Sequence, residues 1–235
     1  MRNQEKDAIE MEKKRNTILE ESFRLFSEKG IDPVSYADIA NVCGYGTTTL
    51  HRYFPTKLDL VVAVSTWCWG RFWESNKKRR RNPSLSGMTA AEIFEYYLDS
   101  FLELYRNGKP LLRFNQYFNI YVRSADPDSS DLGSYLGMID SMLNTFHIIY
   151  EKAQKDGTVR TDVPEQEMFS VTLHLMLAAA TRYAVGLVYV PEEGYDPEGE
   201  LTLLKEMLMN RYCTNAAPGS PIIYRKMRLS QLKEV

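Results

Sequence analysis

Cysteine and histidine are both scarce in this chain of 235 residues, with three of each. Cys43, Cys68 and Cys213 stand far apart and form no C-x-x-C pair. That excludes a zinc ribbon or a disulfide framework and leaves small buried thiols in a reducing compartment. His51, His147 and His174 make no H-E-x-x-H, so a zinc-dependent hydrolase has no ligand set to start from. G-x-S-x-G is missing, and Gly44-Tyr45-Gly46 lacks the third glycine and the strand of a dinucleotide loop. With no motif that carries a catalytic mechanism, the chain is expected not to be an enzyme and to need no cofactor or metal. Excess positive charge is missing too. The 29 Lys and Arg are met by 31 Asp and Glu, a net charge of −2, and the first sixty residues hold nine basic against ten acidic side chains. Any surface for nucleic acid has to come from local arrangement. No stretch alternates with a strand period and no segment repeats. The N-terminus mixes both signs of charge and is no signal peptide. The one long apolar run, Val171–Val190, is interrupted by His174 and Arg182, so a helix buried in protein is expected there and no membrane span. A cytoplasmic protein is the expectation from these absences together.

What is present is a soluble composition, 44% hydrophobic and 26% charged, long enough to bury a sizeable core. The most informative stretch is Ser35–Leu60. Ser35 and Asp38 have capping-box spacing, so a helix begins after Ser35. Ile39 and Val42 are expected on its buried side, with Ala40 in close contact. Gly44 ends it in the left-handed conformation. Gly46 starts a second short helix, with Thr47, Thr48 and Thr49 in its first turn and Leu50 inward. Pro55 turns the chain, and Thr56 with Asp59 launches a long third helix. Two short helices around a glycine turn make a helix-turn-helix, and small hydroxyl side chains at the head of the second suit close approach to a major groove. Lys57, at the start of the long helix, is expected to meet a phosphate. An ordinary helical corner has the same spacing, so spacing alone leaves both readings open.

The residues around this stretch resemble the DNA-binding half of the TetR family of bacterial transcriptional regulators. Ile18–Gly30 is similar to that family's first helix. Asp38–Ala40 (D-I-A), Cys43–Tyr45 (C-G-Y), Thr49–Lys57 (T-L-H-R-Y-F-P-T-K) and Leu60 follow in matching order and spacing, over roughly residues 10 to 62. Gly46 stands where serine or threonine is usual, Thr48 where glycine or alanine is common, and His51 where tyrosine is typical. The resemblance implies a homodimeric regulator, with Thr47 and Thr48 at base edges and Ser35, Tyr36, Thr49, His51, Tyr53 and Lys57 on phosphates. It also implies a ligand pocket among the middle helices and a dimer interface made by the last two long helices, about 165–189 and 198–212. The apolar character of those two helices points the same way without the resemblance.

Along the rest of the chain, residues 1–16 read as a charged, partly helical and frayed lead-in. Ile18, Ser22, Leu25 and Phe26 share one face of the first firm helix. The long helix after Thr56 crowds Trp67, Trp69, Phe72 and Trp73 at its middle and ends in the basic run Lys77–Arg81, where positive charge complements the dipole. Asn82–Gly87 is a linker. Thr89 with Glu92 makes a third capping box, and Pro110 begins another helix. Asp126–Ser130 is a turn and start signal, followed by a heptad of Leu132, Ile139, Phe146 and Ala153 with Leu136, Leu143 and Tyr150 between them. Pro164 opens the apolar helix, Pro191–Pro197 is a loop, and Leu201, Leu204, Leu208 and Tyr212 mark a last helix. The fold expected is all-α: a helix-turn-helix domain over residues 1–58, a larger helical ligand-binding and dimerisation bundle over 59–214, and a tail over 215–235. Trp67, Phe94, Tyr97, Phe101, Tyr117, Tyr121, Met142, Phe146, His147 and Met176 are the candidates for an effector pocket. The functional expectation is a repressor released from a palindromic DNA operator by a small, largely apolar or aromatic ligand. A helical DNA-binding protein without a ligand, acting architecturally or through a protein partner, stays as the alternative.

Overall fold

Three reciprocal caps set where three of the helices begin. Asp38 N–H donates to Ser35 Oγ at 3.2 Å and Ser35 N–H to the Asp38 carboxylate at 2.8 Å. Thr56 and Asp59 repeat the exchange at 2.9 and 3.1 Å, and Thr89 and Glu92 at 2.7 and 3.3 Å. The computed structural model describes residues 4–79, 85–125, 128, 131–187 and 196–214. The described residues form α1 (Gln4–Lys29), α2 (Tyr36–Cys43), α3 (Thr47–Tyr53), α4 (Lys57–Arg79), a 3-10 turn at Leu85–Gly87, α5 (Ala90–Asn107), α6 (Lys109–Ala125), α7 (Gly133–Asp156), α8 (Glu165–Val185) and α9 (Pro197–Tyr212). Among them the only β-type pairing is an isolated bridge between Val159 and Cys213.

Two glycines are required where they stand. Gly44 ends α2 at φ +69°, a conformation costly for other residues, and its N–H and that of Tyr45 reach back to the carbonyls of Asn41 and Ala40. Gly108 lets α5 turn directly into α6, since a Cβ there would lie 2.8 Å from the Leu104 carbonyl oxygen.

The lead-in differs from expectation. Residues from Gln4 onward belong to one continuous helix, α1, which carries i, i+4 pairing between Glu10 and Lys14 at 2.7 Å. In α2, Ile39 and Ala40 are buried but Val42 is exposed. At 100° per residue, positions 36, 39, 40 and 43 form one face, and 42 falls outside it. On α7, Phe146 and Ala153 are buried, whereas Leu136 is exposed and Ile139 and Leu143 are half-buried. The loop expected to end at Pro197 stops earlier, because Asp196 caps α9 and Pro197 is its first residue. The side chains of Lys77, Arg79, Arg80 and Arg81, most of the Asp126–Ser130 signal, residues 188–195 and the 215–235 tail lie outside the described residues.

One buried cluster runs without a break from Ile18, Phe26, Ile39 and Leu50 near the N-terminus to Phe94, Phe146 and Met168 in the bundle. The link between the two ends is aromatic. Phe114 of α6 meets Phe23 and Phe26 of α1 at ring distances of 5.7 and 6.4 Å. α4 packs against α1, α6 and α7, and α8 against α5, α6, α7 and α9. By length and composition α8 could cross a membrane, but 44% of its apolar window is buried inside the protein. Val171, Leu175 and Val185 on its other side are exposed, as is Met207 of α9.

Candidate nucleic-acid interface and ligand cavity

The corner made by α2 and α3 presents Thr47 and Thr48 as exposed side chains at the head of α3, behind Gly46 in extended conformation. Leu50 anchors the helix from below and is fully buried. Thr49 is half-buried, and Arg52 is exposed with its guanidinium 5.4 Å from the Tyr53 ring centre.

The other residues expected on phosphates are largely committed within the corner. The Ser35 hydroxyl donates to Asp38 at 2.5 Å. The Tyr36 hydroxyl donates to the carbonyls of Phe54 at 2.8 Å and Thr56 at 2.6 Å, so it ties down the turn between α3 and α4. Burial and the nearby Asp59 push its pKa well up, which keeps it a neutral donor. The His51 ring lies 4.5 Å from the Tyr36 ring, with Nδ1 3.2 Å from the Pro55 carbonyl. Tyr53 is half-buried and its hydroxyl is enclosed without a partner among the described residues.

Lys57 has partners within the protein. Its ammonium donates to the Asp32 carbonyl at 3.0 Å and lies 5.6 Å from the Tyr121 ring centre. Burial lowers its pKa, against the pull of Asp32. The side chain therefore ties the start of α4 to the α1–α2 loop and to α6.

A second feature lies in the bundle. A chamber of about 410 Å³ is walled by α4, α5, α6, α7 and α8, with Trp69, Trp73, Phe101, Tyr135, Met142 and Phe169 among its lining residues. Asn115 and Asn119 of α6 and His174 of α8 belong both to this chamber and to an open groove of about 450 Å³ that runs outward past Thr181 and Arg182. An adjoining recess of about 230 Å³ shares Trp73, Met138 and Met142 with the chamber and reaches Tyr97. Trp69 stacks near Trp73, with ring centres 6.2 Å apart and planes 23° apart.

Of the ten pocket candidates read from sequence, Phe101 and Met142 line the chamber and Tyr97 lines its recess. The other seven lie elsewhere. Trp67 is on the opposite side of α4, against Phe23 and under Arg71. Phe94 and Phe146 are solid core, in edge contact with each other at 6.1 Å, and Met176 is fully buried. Tyr117 and Tyr121 face the N-terminal helices, beside Gly30 and Lys57. His147 is exposed and holds Glu165 at 2.9 Å. Trp69, Trp73, Asn115, Asn119, Tyr135, Phe169 and His174 line the chamber without being among those ten candidates. A signal for two of them exists, since Asn115 and Asn119 are one turn apart beside the apolar Phe114 and Phe118.

The thiols are unreactive in character. Cys68 and Cys213 are buried and Cys43 half-buried, and burial pushes Cys43 and Cys213 each up to about 11.

Comparison with known proteins follows the same division. Residues 18–64 match the family model for bacterial regulatory proteins of the tetR family. No curated protein matches the sequence. Among solved structures, a bacterial regulatory protein in the tetR family from Rhodococcus RHA1 superposes with a TM-score of 0.64 at 14% identity, over 84% of this chain and 96% of its own. The ketosteroid transcriptional regulator KstR2 of Mycobacterium tuberculosis gives 0.56 at 13% identity, over 85% and 94%. A protein from Saccharomonospora viridis in complex with choline gives 0.62 at 20% identity, over 85% and 97%. Beyond the N-terminal match, likeness at these identities is one of fold.

Proposed function

From a tetR-family DNA-binding domain at residues 18–64, carried on a helical body of the same fold as TetR-family regulators, we propose a homodimeric repressor. It holds a palindromic operator and lets go when a small, largely apolar or aromatic molecule enters the chamber. The observation that carries this reading is that two helices touch both ends of the device. α4 begins beside α3 with Lys57 and puts Trp69 and Trp73 in the chamber wall. α6 meets the N-terminal helices through Phe114, Tyr117 and Tyr121 and gives Asn115 and Asn119 to the chamber.

In this reading Thr47 and Thr48 meet base edges, and Thr49, Arg52 and the residues around the Tyr36 corner set the register on phosphates. A ligand that spreads α4 from α6 changes the separation of two recognition helices, which must match successive major grooves about 34 Å apart. Release follows only if the ligand prefers the non-binding arrangement. The exposed stripe of Val171, Leu175 and Val185 on α8, with Met207 on α9, is the surface that a second copy covers. It also accounts for a helix that is apolar nearly all round, with one side for the core and the other for the partner.

The test is selective retention. Purified protein is mixed with fragmented DNA of its source organism at physiological salt, and the retained fragments are sequenced. A few enriched palindromes are the expected result, with the preferred bases altered in Thr47→Ser protein. Uniform retention overturns the proposal in favour of an architectural DNA-binding protein. Failure to retain DNA, after unfolding and refolding to strip bound small molecules, overturns it altogether.

A further inference from the structure

The groove outside the chamber differs from it in chemistry. The two share Asn115, Asn119, His174 and Leu177, so an apolar hollow opens into a polar outer space. No Asp or Glu lines either part. The groove carries Arg182 as well as His174, an imidazole able to take a second proton. His174, Ala178 and Arg182 stand at i, i+4 and i+8 on α8 and form one row, with about 12 Å along the axis between the two basic residues. Ala178, midway, is small and leaves the space between them open. Arg182 is exposed, and its guanidinium makes no hydrogen bond or ion pair among the described residues.

Two further side chains mark the groove as a built site. Asn115 is 5% exposed and Thr181 7%. Neither side chain has a hydrogen-bond partner among the described residues, and neither is sealed off from the space it lines. A nearly buried amide and hydroxyl left unpaired are costly unless something in the groove meets them. An anion there finds a guanidinium, an imidazole and neutral donors, with no carboxylate to repel it. A cation meets Arg182 and nothing of opposite sign.

Resting on the reading of the chamber as the effector site, we propose that the groove is a second subsite for a negatively charged head group, so that the effector is an amphipathic carboxylate. Its apolar body lies in the chamber and its carboxylate in the groove, held by Arg182 and His174 with Asn115, Asn119 and Thr181 as neutral partners. The planar fork of a guanidinium suits the two oxygens of a carboxylate, and one permanent cation matches one negative charge. A head group drawn between α6 and α8 also acts on the helix whose Phe114 meets Phe23 and Phe26 of α1.

Three probes with one body and three heads decide the matter by calorimetric titration of the full-length protein at neutral pH: 4-(2-naphthyl)butanoate, 4-(2-naphthyl)butan-1-ol and 4-(2-naphthyl)butan-1-amine. The carboxylate is expected to bind about fivefold tighter than the alcohol, near the top of the range for an exposed ion pair, and the ammonium weakest. That preference is expected to vanish at about 1 M salt, where the screening length is about 3 Å, while the alcohol loses no affinity. In Arg182→Gln the carboxylate is expected to fall to the level of the alcohol, and Arg182→Lys to keep part of the preference. Arg182 is exposed, so both variants are expected to fold. Equal or tighter binding by the alcohol or the ammonium overturns the head-group subsite and leaves the chamber as a site. A carboxylate preference unmoved by salt and by Arg182→Gln overturns the groove as the seat of the charge. No binding by any probe, in protein that still retains its operator fragments, overturns the chamber as an effector site together with the subsite.

Discussion

At the corner of α2 and α3 the polar side chains, Tyr53 excepted, are tied to one another, whereas in the bundle several are enclosed without partners among the described residues. Ser35, Tyr36, His51, Thr56 and Lys57 each contact a neighbouring carboxylate or carbonyl within the same small region. In the bundle, Trp69, Tyr97 and Thr172 enclose N–H or O–H groups that meet nothing among the described residues. The difference is what each region needs. A surface that must match a groove gains from being fixed before contact, because ordering side chains on binding costs affinity.

The largest expected effect tests where the hollow ends. Phe146 lies beside the chamber in sequence and in space, but it is fully buried in edge contact with Phe94, Tyr97 and Phe169 at 5.4–6.1 Å. Phe146→Ala is expected to cost about 3–5 kcal/mol of stability, seen as a large fall in the denaturant midpoint. Met142→Ala, on a chamber wall that is already half-open, is expected to cost clearly less. Equal losses would mean that the chamber side is packed as tightly as the core.

The same substitution in the two regions should act with opposite sign. Tyr36→Phe removes the donor that holds two carbonyls at the α3–α4 turn, and is expected to lower stability by about 1 kcal/mol and to weaken operator binding. Tyr97→Phe removes an enclosed hydroxyl with no partner, and is expected to raise the stability of the ligand-free protein by about 1 kcal/mol, roughly 2–4 °C in Tm. Thermal unfolding of both variants checks the pair. Destabilisation by both would break the contrast between a tied corner and a bundle that encloses unpartnered groups.

Local chemistry made the reading corner legible. Capping boxes, Gly44 and Pro55 act within four residues, so the sequence contains both partners of each contact. The contacts of Lys57 are not legible in the sequence because its partners are remote: the Asp32 carbonyl is 25 residues away and Tyr121 is on another helix. The same limit explains Trp67 and Trp69. α4 meets α1, α6 and α7 on different sides, so its apolar positions cover most of its circumference and periodicity cannot choose the face that meets a hollow. Phe94, Phe146 and Met176 have the composition of pocket walls, and only packing distinguishes them from core. The apolar excess of α8, proposed above as a dimer surface, is legible in the sequence, while which of its members are exposed, Val171, Leu175 and Val185, needs the fold.

The smallest effect concerns a contact outside the chamber that behaves like those of the corner. His147 Nδ1 lies 2.9 Å from the Glu165 carboxylate in the first turn of α8, and its Nε2 lies 3.7 Å from Glu151. The hydrogen bond to Glu165, then the two carboxylate charges, hold its pKa above the usual 6.5, against a small effect of desolvation. A raised folded pKa means that the contact stabilises the protein fully below the unfolded value and loses that contribution as pH rises through the folded one. The histidine is exposed, so the expected change in Tm is smaller than that of either tyrosine variant. In a proton NMR titration the His147 ring resonance should have its midpoint above 6.5, and Glu165→Gln should move that midpoint down. The Tm advantage of the unaltered protein over His147→Gln should shrink from acidic to alkaline pH. A midpoint that ignores Glu165 would mean that the polar groups on the outside of the bundle are as unpaired as those within it, and the contrast between regions would reduce to the corner alone.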